Sequence, residues 1–166
     1  MKHVNPDQVA MKRFALDAGV QVDFAANPFA KALGTRVIAV DLEAGMVRLA
    51  FSPDGIFVQG AGVLQGGAIS AMLDFAMAFA LLAVLPEGQT CSTANANVSF
   101  LRPAPRGDYV AVGEITRRGS RLAFARAPMP ATSNGSSTAA PSLSRFVDQG
   151  LTPMLQVGRW PVAASF

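Results

Sequence analysis

The segment from Gln65 to Leu85 constrains this chain more than any other, because it is apolar on every side. It consists mainly of Ala, Leu and Met, which favour the α-helix. Two glycines stand near its start and Pro86 follows it, and proline cannot continue a helix. The pattern predicts a helix over Gly67–Leu85, about 28 Å long at ~1.5 Å per residue. A helix of this kind is either enclosed by protein or lies in lipid.

Asp74 interrupts this apolar segment near its middle. Three interpretations follow: a membrane span of just sufficient length, a buried helix with a structurally satisfied Asp, and a buried helix with a functional Asp. A carboxylate at mid-span argues against the membrane. No Lys or Arg lies between Arg48 and Arg102 to set an orientation. We favour the functional Asp, because carboxylates in apolar surroundings concentrate at functional sites.

Composition places the chain among globular proteins. Its 166 residues are 51% apolar and 15% charged, which predicts a single domain with its own core. The net charge is +3, and no nucleic-acid recognition motif accompanies the basic residues, so we expect no nucleic-acid partner. Six arginines cluster in one stretch of 25 residues: Arg102, Arg106, Arg117, Arg118, Arg121 and Arg126. They form either a solvated surface or a patch that binds an anionic group such as phosphate.

Single copies of Cys and His limit the chemistry. Cys91 is the only cysteine and His3 the only histidine, so the chain has no intrachain disulfide and no zinc site built on thiolates or histidines. A Ser–His–Asp site would need the N-terminal tail to fold inward. We expect no metal and no cofactor. The N-terminus lacks the apolar run of a signal peptide, which predicts a cytoplasmic protein.

The order of predicted elements indicates an α+β fold. Two N-terminal helices, beginning after Asn5 and Asn27, precede a hairpin over 35–42 and 46–52. A Gly-rich loop over 53–64 leads into the central helix, and a long strand is predicted over 90–101. A second hairpin covers 108–117 and 121–127. An antiparallel sheet with one apolar face would wrap the central helix.

Composition changes after Ala127. The last 39 residues contain five Pro and nine Ser or Thr, a mixture that seldom packs a core. We therefore predict one domain over 1–127, with 1–26 as a helical lead-in, and an atypical, partly disordered tail over 128–166. Within this tail, 155–163 has the pattern for one short strand.

Several short motifs occur in the order found in one enzyme family. Taken together over about 27–127, the chain resembles the hotdog-fold acyl-CoA thioesterases of the phenylacetate-degradation (PaaI-like) type. The motifs are Asn27-Pro28-Phe29 with Leu33-Gly34, Gly62-Val63-Leu64-Gln65-Gly66-Gly67, Met72-Leu73-Asp74, Asn97-Val98-Ser99-Phe100-Leu101-Arg102-Pro103, and Gly119-Ser120-Arg121-Leu122-Ala123-Phe124.

The resemblance implies hydrolysis of aryl or medium-chain acyl-CoA esters to the acid and CoA, by a homodimer or homotetramer outside the membrane. It also implies that the Gly pair and Asp74 of one site come from different subunits. The chain departs from the family at Gln59, where the family has Asn, and at Gln65, where it has His. A Gln amide still donates a hydrogen bond but cannot act as an acid or base.

Asp74 is the expected base or nucleophile. Free N–H groups of Gly66, Gly67 or Ala68 at the helix start would stabilise the oxyanion, Gln65 would steady the carbonyl, and Thr93 would orient water or Asp74. Substrate contacts are expected at Gln59, Gly62, Gly66, Ser70, Met77, Asn97 and Arg121, the last of these to CoA phosphates.

One alternative stays open at this stage. Gln59, Gln65 and the unusual tail fit a hotdog module that only binds acyl-CoA or only oligomerises. A dehydratase of the same fold ranks last, because such enzymes depend on a His with an acid.

Overall fold

The computed structural model describes residues 5–18, 20–22 and 24–129, and the backbone of 154–158. The helices and strands in this part are α1 Pro6–Leu16, α2 Pro28–Ala32, β1 Arg36–Asp41, β2 Met46–Phe51, α3 Gly66–Val84, β3 Thr90–Asn95, β4 Tyr109–Arg118, β5 Leu122–Arg126 and β6 Met154–Gly158. A single 3-10 turn covers Gly55–Phe57.

The six strands form one sheet in the order β1-β2-β4-β5-β6-β3. Every neighbouring pair is antiparallel. In the β2–β4 pair Met46 lies opposite Glu114 and Phe51 opposite Tyr109. β3 lies at one edge of the sheet and pairs with β6.

The long helix α3 packs against this sheet and forms the centre of the core. Met72, Ala76 and Ala80 on the helix are fully buried. On β4, a Cβ at Gly113 would lie 1.9 Å from the carbonyl oxygen of Ala76, so the helix and strand backbones touch at a position that only glycine allows. This antiparallel sheet around a long central helix is the predicted hotdog architecture, and it is confirmed.

The end of α3 is fixed by α1. Gln8 is 2% exposed, and its Nε2 donates to the carbonyl oxygens of Leu85 and Pro86, each at 3.1 Å. These bonds satisfy carbonyls that a helix leaves without an internal partner at its C-terminus. The side chain of Asn5 caps α1, accepting from the Asp7 N–H at 2.9 Å, as its sequence predicts.

The packing of α3 distinguishes a membrane span from a core helix. Gly66–Val84 is long enough and apolar enough to cross a membrane, judged by length and composition alone. Its apolar surface packs against α1, β2 and β4. It is therefore the core helix of the fold.

Two predictions about β-structure need correction. The strand predicted over 90–101 ends at Asn95, because Asn95 is the last residue of β3 that pairs with β6 and no described strand lies beside 96–101. The short strand predicted at 155–163 begins one residue earlier and is shorter: it is β6, Met154–Gly158, which lies between β5 and β3 inside the sheet. The rest of the tail, 130–153 and 159–166, lies outside the described residues. The domain boundary after Ala127 stays a prediction.

Candidate active site

The first turn of α3 presents backbone N–H groups to one side of the molecule. Gln65 is the N-cap, and its side chain makes no capping hydrogen bond. Its carbonyl oxygen already accepts from the N–H of Ala68 at 3.0 Å and of Ile69 at 3.2 Å. Ala68, predicted as a possible oxyanion donor, therefore has its N–H in use. Gly66 and Gly67 are the remaining first-turn donors at this positive end of the helix.

The two glycines differ in their surroundings. A Cβ at Gly67 would meet nothing within 4 Å, whereas a Cβ at Gly66 would lie 3.3 Å from the Phe100 ring. Phe100 is 54% exposed and covers the Gly66 side of the helix start. A ligand can therefore approach the backbone at Gly67, where the space is open.

The loop before α3 is folded by its own backbone. The N–H of Gly62 donates to the Gln59 carbonyl at 2.9 Å, and the N–H of Gln59 donates to the Val63 carbonyl at 2.8 Å. Gly62 has a φ of 76°, which favours glycine. Gln59, Gly62 and Gln65 are all exposed, so the loop presents both amide side chains at the surface.

Asp74 and Thr93, predicted as a pair, do meet. Thr93 lies on β3, and its Oγ1 donates to Asp74 Oδ1 at 2.6 Å. Asp74 is half-buried and Thr93 is exposed. A hydroxyl bonded to a carboxylate forms a charge-assisted hydrogen bond, and the carboxylate keeps further acceptor sites. Asp74 is therefore held in place while one side of it faces solvent in the single chain.

Cys91, also on β3, is not a second nucleophile. Its Sγ donates weakly to the Ala78 carbonyl at 3.8 Å. Burial, and to a smaller extent the negative charge of Asp74, raise the pKa of the Cys91 thiol to about 12. The thiolate, which is the reactive form, is therefore scarce near neutral pH. Asp74 is the better candidate for chemistry on this face of α3.

The other predicted site residues are spread over the protomer. The Ser70 hydroxyl donates to the Gly66 carbonyl at 2.9 Å, and Met77 is 2% exposed, inside the core. Asn97 and Arg121 are exposed, the first after β3 and the second in the β4–β5 turn. In the part of the chain that the structure describes, no three His, Cys, Asp or Glu side chains lie close enough to hold a metal ion.

An aromatic cluster lies beside Asp74, and sequence reasoning gave its key member no role. Phe29 on α2 is 48% exposed, packs edge-on against Phe75 with 5.8 Å between ring centroids, and lies 6.2 Å from Phe57. Phe75 in turn contacts Phe79 at 5.5 Å. The sequence signal that could have identified Phe29 is its position directly after Pro28, the proline that begins the short helix α2.

Comparison with known proteins agrees with the predicted resemblance. Residues 61–129 match the model of the thioesterase superfamily. This segment contains the Gly pair, Asp74, Thr93 and the β4–β5 hairpin. No curated protein matches the chain.

Solved structures share the fold over most of the chain. A thioesterase of Ralstonia eutropha described as related to phenylacetic acid degradation is 28% identical, with a TM-score of 0.64, over 89% of this chain and 96% of that one. A thioesterase family protein of Silicibacter pomeroyi is 24% identical, with a TM-score of 0.68, over 90% and 97%. The PaaI protein of E. coli, from the phenylacetic acid degradation operon, is 15% identical, with a TM-score of 0.58, over 93% of each chain. The resemblance to PaaI-like hotdog thioesterases is thereby confirmed.

The environment of Cys91 generates a prediction. At pH 8 the folded protein should react with iodoacetamide far more slowly than the same protein in urea, because a pKa of about 12 leaves little thiolate. Asp74→Asn removes the negative charge beside the thiol, so the pKa should fall and the folded-state rate should rise. Cys91 is the only cysteine, and mass spectrometry therefore reports this rate without ambiguity. Equal rates in the wild type and the variant would contradict the effect of the Asp74 charge on the thiol.

Proposed function

We propose that the protein hydrolyses acyl-CoA thioesters to a free acid and CoA. The match to the thioesterase superfamily supports thioester hydrolysis in general. The observation that carries the proposal is that Asp74, bonded to Thr93 of β3, lies on the same helix whose N-terminus leaves the Gly66 and Gly67 N–H groups without a capping side chain. Thioester hydrolysis needs these two elements, a base or nucleophile and donors for the oxyanion.

In the proposed reaction Asp74 either takes a proton from the attacking water or attacks the thioester carbon itself, giving an acyl-Asp anhydride that water then hydrolyses. In both routes the C–S bond breaks, and CoA leaves as a thiolate that takes up the proton released from water. The Thr93 hydroxyl holds the carboxylate in one orientation. The carbonyl oxygen of the substrate becomes an oxyanion and accepts hydrogen bonds from the Gly67 and Gly66 N–H groups, each worth about 3 kcal/mol in comparable sites. Gln65 donates its amide N–H to the same carbonyl, without carrying a proton to or from it.

Two copies of the chain would complete each site. Gly67 and Asp74 are seven residues apart on one helix, about 10 Å along its axis, which is long for two groups that act on one carbonyl. The donors of one copy can instead face Asp74 of another. β3 supports this arrangement, because it is an edge strand that leaves Thr93, Ala94 and Asn95 exposed in the single chain. We propose a homodimer, or a tetramer built from two such dimers.

The acyl group would lie against the aromatic cluster of Phe29, Phe57 and Phe75. Phe75 follows Asp74 directly on α3, and Phe57 precedes the Gln59 loop by two residues. Such a surface suits an aryl or a medium-length aliphatic group. Ser70, on the same face of α3 as Asp74, would border this pocket. Met77 contributes from within the core, and Gln59, Gly62 and Asn97 would border the entrance.

The nucleotide end of CoA would meet the arginines of the β4–β5 region. Arg121 is exposed in the turn between these strands, where a guanidinium can bind phosphate in a fork geometry. Arg126, on the same hairpin, instead pairs with Glu114 at 2.8 Å. Arg121 is therefore the better phosphate ligand of the two. A cytoplasmic location, where acyl-CoA is made and used, fits this substrate.

The second candidate is a module that binds acyl-CoA without hydrolysing it. The observation in its favour is Gln65, whose amide at the helix start cannot carry a proton. This candidate has the same fold, the same CoA contacts and the same assembly as the enzyme. It differs only in that it does not hydrolyse the thioester.

Asp74→Asn separates the two candidates. The substitution keeps the shape of the side chain and removes the charge, so kcat for thiol release from an acyl-CoA panel should fall by ~10²–10⁴, the usual effect of losing an acid–base group. CoA affinity and melting temperature should change little. The matched control is Asp41→Asn at the end of β1, where the exposed side chain accepts from the Ala44 N–H. No turnover in the wild type would leave the binding module as the function, whereas wild-type turnover in Asp74→Asn would remove Asp74 from the mechanism.

Arg121→Ala tests the CoA contact. It should raise KM for acyl-CoA esters more than for short thioesters that lack the nucleotide. The difference should shrink with added salt, since exposed charge pairs are screened over about 8–10 Å at moderate ionic strength. Arg126→Ala is the control on the same hairpin. Equal effects on both substrate types, without salt dependence, would remove Arg121 from the site.

A further inference from the structure

We propose that Tyr109 is a positioning residue that holds the start of α3, and with it the oxyanion donors, in place. The inference rests on the proposed function for its catalytic consequence. Tyr109 is the only tyrosine and is 3% exposed. Its hydroxyl donates to the carbonyl oxygen of Pro105, four residues earlier. This bond ties the segment before β4, which has no regular structure of its own, to a buried ring.

The ring is itself fixed by the sheet. Tyr109 begins β4 and lies opposite Phe51 of β2, a fully buried residue. Burial also raises the pKa of Tyr109, so the hydroxyl stays protonated near neutral pH and remains a donor. The Pro105 carbonyl is thereby attached to a side chain that is buried in the core.

The segment at 104–105 in turn holds the loop that precedes α3. Val63 and Pro105 form an isolated antiparallel bridge, and the N–H of Leu64 donates to the Ala104 carbonyl at 2.8 Å. Leu64 is 2% exposed. These contacts fix the chain immediately before the N-cap of the helix.

The remaining step runs from the loop to the donors. The N–H of Gln65 donates to the Phe57 carbonyl at 2.8 Å, while the Gln65 carbonyl accepts the first helical hydrogen bonds. The direction of the next N–H groups, those of Gly66 and Gly67, therefore follows from the placement of Leu64 and Gln65. The connection leads from the Tyr109 hydroxyl through Pro105 and Leu64 to Gly67.

Such a connection has a kinetic signature. Misplacement of catalytic donors by a fraction of an ångström lowers the rate of the chemical step more than it weakens substrate binding. Tyr109→Phe removes the hydroxyl and keeps the ring in the core. The carbonyl of Pro105, an exposed residue, can then bond to water, and the fold is retained.

The test compares Tyr109→Phe with a control that loses a similar bond elsewhere. Thr35→Val is that control, because the Thr35 hydroxyl is buried and donates to the Ala30 carbonyl at 2.6 Å, away from the loop. Both variants and the wild type are compared by melting temperature, by thiol release from acyl-CoA, and by hydrogen exchange of individual amides.

We expect Tyr109→Phe to lower kcat about tenfold with KM nearly unchanged, less than the ~10²–10³ of losing an oxyanion donor itself. Amide exchange at Leu64 and Gln65 should become at least tenfold faster, while exchange at Val47 in β2 stays as in the wild type. Thr35→Val should alter neither kcat nor the Leu64 amide, even if both variants lose the same stability.

Unchanged exchange at Leu64 and Gln65 in Tyr109→Phe would overturn the proposal, as would a kcat that falls no more than in Thr35→Val. If the wild type releases no thiol from any acyl-CoA, the proposed function fails. The exchange measurement then still decides whether Tyr109 holds the helix start.

Discussion

The close contact between α3 and β4 is the constraint on which the rest of the structure depends. At Gly113 the strand backbone touches the Ala76 carbonyl, and the apolar sides of α3 are then covered by β2, β4 and α1. Burial at roughly 25 cal/mol per Å² of apolar surface makes this packing the main source of stability. One charged group, Asp74, interrupts the helix where it passes β3, and there the Thr93 hydroxyl donates a hydrogen bond to it.

The position of Asp74 links stability to function. A carboxylate at a fully enclosed position of α3 would be costly without partners. Asp74 avoids this cost because it lies toward the sheet edge, half-buried and bonded to Thr93. The same placement leaves it accessible from outside the protomer. Cys91, its neighbour on β3, is by contrast held as an unreactive thiol.

Local signals in the sequence were sufficient for most of the fold. The apolar run between a Gly pair and Pro86 predicted α3 to within about a residue at each end, and Asn5-Pro6 and Asn27-Pro28 marked the starts of α1 and α2. Asp74 and Thr93 were also predicted as partners, through the resemblance. These features depend on neighbours in the chain or on short motifs.

Features that depend on distant pairing were missed. The end of β3 at Asn95 is set by where β6 stops pairing, and β6 comes from a tail whose composition suggested disorder. The Phe29–Phe75 contact joins α2 to α3 across 46 positions. The bond from Tyr109 to Pro105 acquires meaning only through the bridge to Val63. Composition and periodicity carry no signal for such contacts.

A mixing experiment examines most directly whether two copies share each site. Gly67→Pro removes the donor N–H of residue 67. The proline ring has room there, because a Cβ at Gly67 would meet nothing within 4 Å, and the first turn of a helix tolerates proline. It should be inactive alone, as should Asp74→Asn. When the two variants are refolded together in equal amounts, a shared site predicts recovery of about a quarter of wild-type turnover, because half of the dimers are mixed and each mixed dimer has one intact site. A mixture no more active than its two components would show that the donors and Asp74 do not act across the interface.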